Sequence, residues 1–119
     1  MQEKELALLI AEAALDKQAK SLEIIDVSDK VDYTYYIVIC SSNSERHVEA
    51  LTSAVEVALK EKNIYPLGVE GRQANQWVLM DYGDVIFHVF EDHRRGLYDL
   101  DTLWIDADRI PLRKAAGAQ

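Results

Sequence analysis

The chain has a single cysteine, Cys40, among 119 residues, so no internal disulfide can form and no cysteine-based metal framework exists. That scarcity agrees with a reducing compartment. Positive charge is also in deficit: 13 Lys and Arg stand against 21 Asp and Glu, a net charge of −8. Nucleic-acid binding draws most of its affinity from cations that neutralise phosphates, and a chain this acidic, without a basic run, is poorly suited to it. Its field would instead steer it toward basic partners. No apolar run approaches the ~20 residues needed to span a bilayer, and Gln2-Glu3-Lys4-Glu5 is not the opening of a secretory signal. A soluble protein of the cytoplasm, with no membrane contact, is the expectation. There is no P-loop and no G-x-G-x-x-G; Gly71 and Gly83 read as turn glycines.

What is present is an ordinary domain's worth of core material. Hydrophobic residues make up 49% and charged residues 29%, close to the average soluble domain. The length suffices to bury roughly two thirds of the unfolded chain's surface. Residues 1–112 are expected to form one domain and 113–119, ending Ala-Gly-Ala-Gln, a flexible tail.

Residues 3–19 have helical periodicity, with Leu6, Leu9, Ile10, Ala13 and Ala14 on one stripe. Two β-rich runs, 22–27 and 33–40, flank a Ser28-Asp29-Lys30 turn short enough to favour antiparallel pairing. The Ser41-Ser42-Asn43-Ser44 run offers N-caps for a helix to about Lys62, buried through Val48, Leu51, Thr52, Val55, Ala58 and Leu59 and ended by Asn63. A strand at 64–70 carrying Pro66 suits an edge, and two more, 76–81 and 85–91, flank Tyr82-Gly83-Asp84. Beyond Asp92 the chain reads as irregular or short helix. The order is α-β-β-α-β-β-β plus a C-terminal segment. The fold class is α/β (mixed α+β), with a single mixed sheet of about five strands and flanking helices.

With Gly83-Asp84 central in the turn, Tyr82 pairs with Val85, Met80 with Phe87 and Val78 with Val89, one apolar face bearing a single phenol. The opposite face sets Asp81 against Ile86, Leu79 against His88 and Trp77 against Phe90. Either a second helix layer covers that face or it is a binding surface, since aromatics concentrate at interface centres.

Chemistry is thinly supplied. His47, His88 and His93 have no helical i, i+4 pairing or carboxylate at motif spacing that would announce a metal. Cys40 has His47 seven positions on but nothing that supplies an oxyanion hole, and reads as a buried strand residue. The acid-rich stretch around Asp99, Asp101, Asp106 and Asp108 lacks the spacing of a calcium loop. No catalytic residue, metal or cofactor is expected.

Three ordered motifs carry a resemblance. Asp32-Tyr33 through Ile37-Val38-Ile39, then Ser41, Ser44 and Arg46-His47-Val48, form the first. Glu70-Gly71, Trp77-Val78-Leu79, Asp81 to Ile86 and His88-Val89-Phe90 form the second; Arg95, Tyr98-Asp99-Leu100 and Leu103-Trp104 form the third. Over residues 5–108 the chain resembles the ribosomal silencing factor, or Iojap, family. The resemblance implies a fold related to nucleotidyltransferases and a non-enzymatic repressor of translation that forms homodimers. Such a protein binds a basic large-subunit ribosomal protein (the one numbered fourteen) at the subunit interface. It thereby blocks joining of the small subunit when nutrients are short.

On this reading Trp77, Leu79, His88, Tyr98, Leu100 and Trp104 carry the contact, and Asp81, Asp99 and Asp101 complement its charge. Asp101 stands where the family usually has Glu, one methylene shorter. Tyr98 and Trp104 have an alternative role as anchors of the C-terminal segment on the sheet. Two competing functions are a residual nucleotidyltransferase-like enzyme and a generic homodimeric scaffold. The first needs paired carboxylates for Mg²⁺ beyond the Cys40-Ser41-Ser42 turn, and positions 50–58 offer only Glu56.

Overall fold

A computed structural model of the chain describes residues 2–92 and 104–112. In chain order these form α1 (Glu3–Asp16), β1 (Lys20–Asp26), β2 (Tyr36–Ser42), α2 (Glu45–Lys60), β3 (Gly68–Glu70), β4 (Trp77–Asp81), β5 (Val85–Glu91) and β6 (Asp108–Arg109). One mixed sheet results, in the order β3-β4-β5-β2-β1-β6. All neighbours are antiparallel except β2 and β5, which run parallel. The mixed α/β class stands, with a sixth strand added. That strand is two residues long, too short for any periodicity to reveal, and pairs Asp108 with Asp26 and Arg109 with Ile25.

Both helices lie on one face of the sheet. Their apolar sides meet Ile24, Val38, Cys40, Val78, Met80, Val85, Phe87 and Val89, all of them essentially buried. Tyr82 adds its ring to this layer, and burial pushes the phenol pKa up to about 12, with a further rise from the charge of Glu56 that Arg72 opposes. The buried side of α1 is broader than its predicted stripe. Ala7, Leu8 and Ala11 are buried beside Leu6, Ile10 and Ala14, while Leu9 and Ala13 sit at the margin. Small alanines let α1 approach closely, which a reading based on large apolar residues undervalues.

The two helices end alike. After α1, Ala19 N–H donates to Ala14 O at 3.1 Å and Gln18 N–H to Leu15 O at 2.9 Å; after α2, Ile64 N–H donates to Leu59 O at 3.0 Å and Asn63 N–H to Lys60 O at 2.9 Å. This paired pattern needs a left-handed residue, and Gln18 (φ 66°) and Asn63 (φ 63°) fill that role. Asparagine tolerates the conformation; glutamine has no such preference, so the end of α1 carried no sequence signal. Replacing Gln18 by Gly should therefore stabilise the fold by about 0.5–1 kcal/mol. A higher urea midpoint at unchanged slope would register the gain.

At the start of α2, Ser44 Oγ caps the His47 N–H at 3.1 Å. The His47 ring then ties the helices together. Its Nδ1 accepts from the Asn43 N–H at 3.2 Å, which places the ring proton on Nε2, 2.8 Å from Lys17 O at the end of α1. His47 is accounted for as a structural link.

Candidate docking face on the second side of the sheet

The β4–β5 register follows the turn. Trp77 faces Phe90, Val78 Val89, Leu79 His88, Met80 Phe87 and Asp81 Ile86. The hairpin closes with Tyr82 N–H on Val85 O at 2.9 Å, and Gly83 takes φ 85° with its N–H on Asp81 Oδ1 at 2.8 Å. Asp81 is thus spent on the turn through one oxygen. The face expected to be core is core, so the face away from the helices carries Trp77, Leu79, Asp81, Ile86, His88 and Phe90.

Among the described residues no helix covers this second face. Its apolar centre comprises Ile25, Val27, Ile37, Ile39, Phe90 and Ala107, with Val31, Trp77 and Trp104 packed against it. Trp104 is half-buried here and its carbonyl accepts from Arg109 Nη1 at 2.8 Å and from the Ala107 N–H at 3.0 Å. It anchors the segment that ends in β6. Its indole Nε1 is buried without a hydrogen-bond partner among the described residues. Tyr98, Asp99, Leu100 and Asp101 lie outside the described residues.

Trp77, His88 and Phe90 form a stacked cluster. Ring centroids are 5.1 Å apart for Trp77–Phe90, 5.8 Å for Trp77–His88 and 6.1 Å for His88–Phe90, with interplanar angles of 21°, 26° and 4°. The Trp77 indole N–H donates to His88 Nδ1 at 3.0 Å. An indole only donates, so Nδ1 is unprotonated and the imidazole proton sits on Nε2. Burial lowers the His88 pKa to about 4, so the ring is neutral at neutral pH. Sequence alternation placed these residues on one face, but a contact between diagonal cross-strand neighbours depends on rotamers that alternation does not encode.

Beside the cluster, toward β3, lies a hollow of about 230 Å³ lined by Glu70, Gly71, Trp77 and Leu79. Gly71 opens the 71–75 loop. Arg72 ties that loop to α2 through Glu56 Oε1 at 2.9 Å and Ser53 Oγ at 3.0 Å. Gln76 Nε2 reaches Glu45 Oε2 at 3.2 Å. Gly71, at φ 86°, lies against the Trp77 carbonyl, where a Cβ would sit 2.0 Å from the oxygen. Glu70 opens the second motif but is not among the contact residues the sequence suggests; its membership of the hollow depends on β3 pairing with β4, where it faces Leu79.

The features of the enzymatic alternative lie elsewhere. Cys40 is fully buried, Ser42 Oγ donates to Ser44 O at 2.9 Å, and Glu56 is engaged by Arg72. Among the described residues no group of three or more His, Cys, Asp and Glu side chains is disposed to hold a metal, and no helix is long and apolar enough to cross a membrane.

Comparison with known proteins agrees with the motifs. The family model described as "ribosomal silencing factor during starvation" matches residues 1–119. A ribosomal silencing factor of Chromobacterium violaceum is 35% identical over 104 residues, 87% of this chain and 85% of that protein. A mouse protein named for mitochondrial assembly of the ribosomal large subunit is 30% identical over 91 residues, 74% of this chain and 40% of that one. A crystal structure of a Chromobacterium violaceum protein superposes with a TM-score of 0.86 at 31% identity, covering 99% of this chain and 98% of that one.

Proposed function

Since the chain belongs to the ribosomal silencing factor family, a family of regulators and not of enzymes, we propose that it docks on the large ribosomal subunit and represses translation. The partner is a basic ribosomal protein at the subunit interface (the one numbered fourteen). Occupying that surface blocks joining of the small subunit under nutrient limitation, in the cytoplasm. The observation that carries the reading is the second sheet face, where Trp77 and Leu79 are partly accessible beside the buried His88 and Phe90. A partly open aromatic and a leucine next to a hollow suit an interface centre, while the net charge of −8 suits a basic partner. Tyr98, Leu100 and Trp104, with Asp81, Asp99 and Asp101, extend the contact in this reading, and Trp104 also serves as an anchor.

Co-sedimentation with isolated large subunits tests this directly. The wild type is expected to pellet with them, and a folded Trp77→Ala variant to lose about 30-fold in affinity, as for truncation of a central aromatic anchor. Retention of binding by Trp77→Ala would move the site, toward the segment containing Trp104. Failure of the wild type to bind at low salt would leave the homodimeric scaffold as the better account. The family resemblance also implies self-association, which sedimentation velocity on the free protein measures.

A further inference from the structure

The hollow beside Trp77 is lined by two apolar side chains, Trp77 and Leu79, by Gly71 and by one carboxylate, that of Glu70. Cross-strand pairing puts Glu70 and Leu79 on the same face, and Trp77, two residues from Leu79 along β4, shares it. Glu70 is exposed and has no ion-pair partner among the described residues. The nearest cation in sequence, Arg72, is already committed to Glu56 and Ser53. Asp81, flanking Leu79 on the other side, holds the Gly83 N–H. The Trp77 N–H is likewise taken by His88, so the indole brings no unmet donor to the hollow.

An apolar lining beside a lone exposed carboxylate fits a cation on a long aliphatic stem. The stem covers Trp77 and Leu79 while the head meets Glu70. Between the two basic side chains, a guanidinium is the more weakly hydrated, stacks on an indole and can bind a carboxylate through two parallel hydrogen bonds. Resting on the docking reading above, we infer that this hollow receives an arginine side chain of the ribosomal protein, and that Glu70 selects for it.

The test is the affinity of dye-labelled protein for isolated large subunits, at low and high salt, for wild type, Trp77→Ala, Glu70→Gln and Glu70→Asp. Glu70→Gln should bind roughly tenfold more weakly, with a shallower dependence on salt, because one screened charge pair is gone. Its urea midpoint should equal that of the wild type, since the replaced group is exposed. Glu70→Asp should fall between the two. Arginine amide should compete better than lysine amide at equal ionic strength. Wild-type affinity and salt slope in Glu70→Gln would overturn the assignment while leaving docking intact, and equal competition by the two amides would overturn the choice of arginine. Absence of binding by the wild type would remove the docking reading itself, and the inference with it.

Discussion

Replacing Gly71 by Ala is expected to destabilise the protein by about 3 kcal/mol, combining left-handed strain with a backbone clash. The added Cβ would lie 2.0 Å from the Trp77 carbonyl oxygen and 3.1 Å from its carbon, atoms of a strand that cannot swing aside as a side chain would. The residue displaced is the one at the centre of the proposed docking face, so the damage should reach function even where the variant folds. Two other glycines calibrate the effect. Gly83 has nearly the same φ, 85°, but its Cβ would meet only Leu67 Cδ1 at 3.5 Å. Gly83→Ala should thus cost only the strain, about 1 kcal/mol. Around Gly68 nothing lies within 4 Å, and Gly68→Ala should be near neutral. Urea denaturation of the three variants measures the ranking. Equal losses at Gly71 and Gly83 would mean that the loop yields and the contact with Trp77 is unimportant.

Acid should weaken the fold through His88. Its pKa in the folded protein is lowered to about 4 by burial, against 6.5 for an unburied imidazole. Above pH 6.5 the ring is neutral in both folded and unfolded chains, and its contribution is fully present. As the pH falls from 6.5 toward 4, the unfolded chain takes up a proton that the folded chain refuses, so stability drains away. The full loss is of the order of 3 kcal/mol, given 1.36 kcal/mol per pKa unit. Protonation in place would also set an Nδ1–H against the Trp77 N–H, two donors facing one another. His88→Gln keeps an acceptor for the indole but does not titrate. Between about pH 7.5 and about pH 4.5 the wild type should lose ~2 kcal/mol more than this variant in denaturant titrations followed by tryptophan fluorescence. Parallel losses would show that carboxylates elsewhere dominate the acid response.

The hairpin was the most legible part of the molecule. A glycine with a defined conformational demand set the turn, the turn set the register, and the register sorted Val78, Met80, Phe87 and Val89 from Leu79, Asp81, His88 and Trp77. The end of α2 was legible for a similar reason, since Asn63 is among the few residues at ease in a left-handed cap. Strand starts are less legible. Tyr33 and Tyr35 favour extended structure, yet both are exposed and β2 begins only at Tyr36, where Asp84 O receives the Tyr35 and Tyr36 N–H groups. Strand β3 is also shorter than the 64–70 run predicts: ladder pairing begins only after Pro66 and Leu67, at Gly68. Propensity marks which residues suit a pleated surface, not where a partner strand begins.

The candidate site divides the same way. Membership of Trp77, Leu79, Asp81 and His88 in one face followed from period two. The hollow, and Glu70 with it, required knowing that β3 lies beside β4. Nothing local announces that β2 lies parallel to β5, because their alignment is made by residues about fifty positions apart, Tyr36 with Val85 through Ser42 with Glu91.

That parallel seam has a consequence for the order of assembly. Among the described residues it is the only junction between the strands of the N-terminal half, β1 and β2, and those of the hairpin half, β3 to β5. Until residue 91 has been synthesised, β2 has one flank unpaired and both helices lack part of the sheet they cover. A nascent chain is therefore expected to stay protease-sensitive through most of its length and to become resistant in one late step. Shortening the chain from its C-terminus into β5 should abolish protection of α1, far away in sequence, as readily as that of the hairpin.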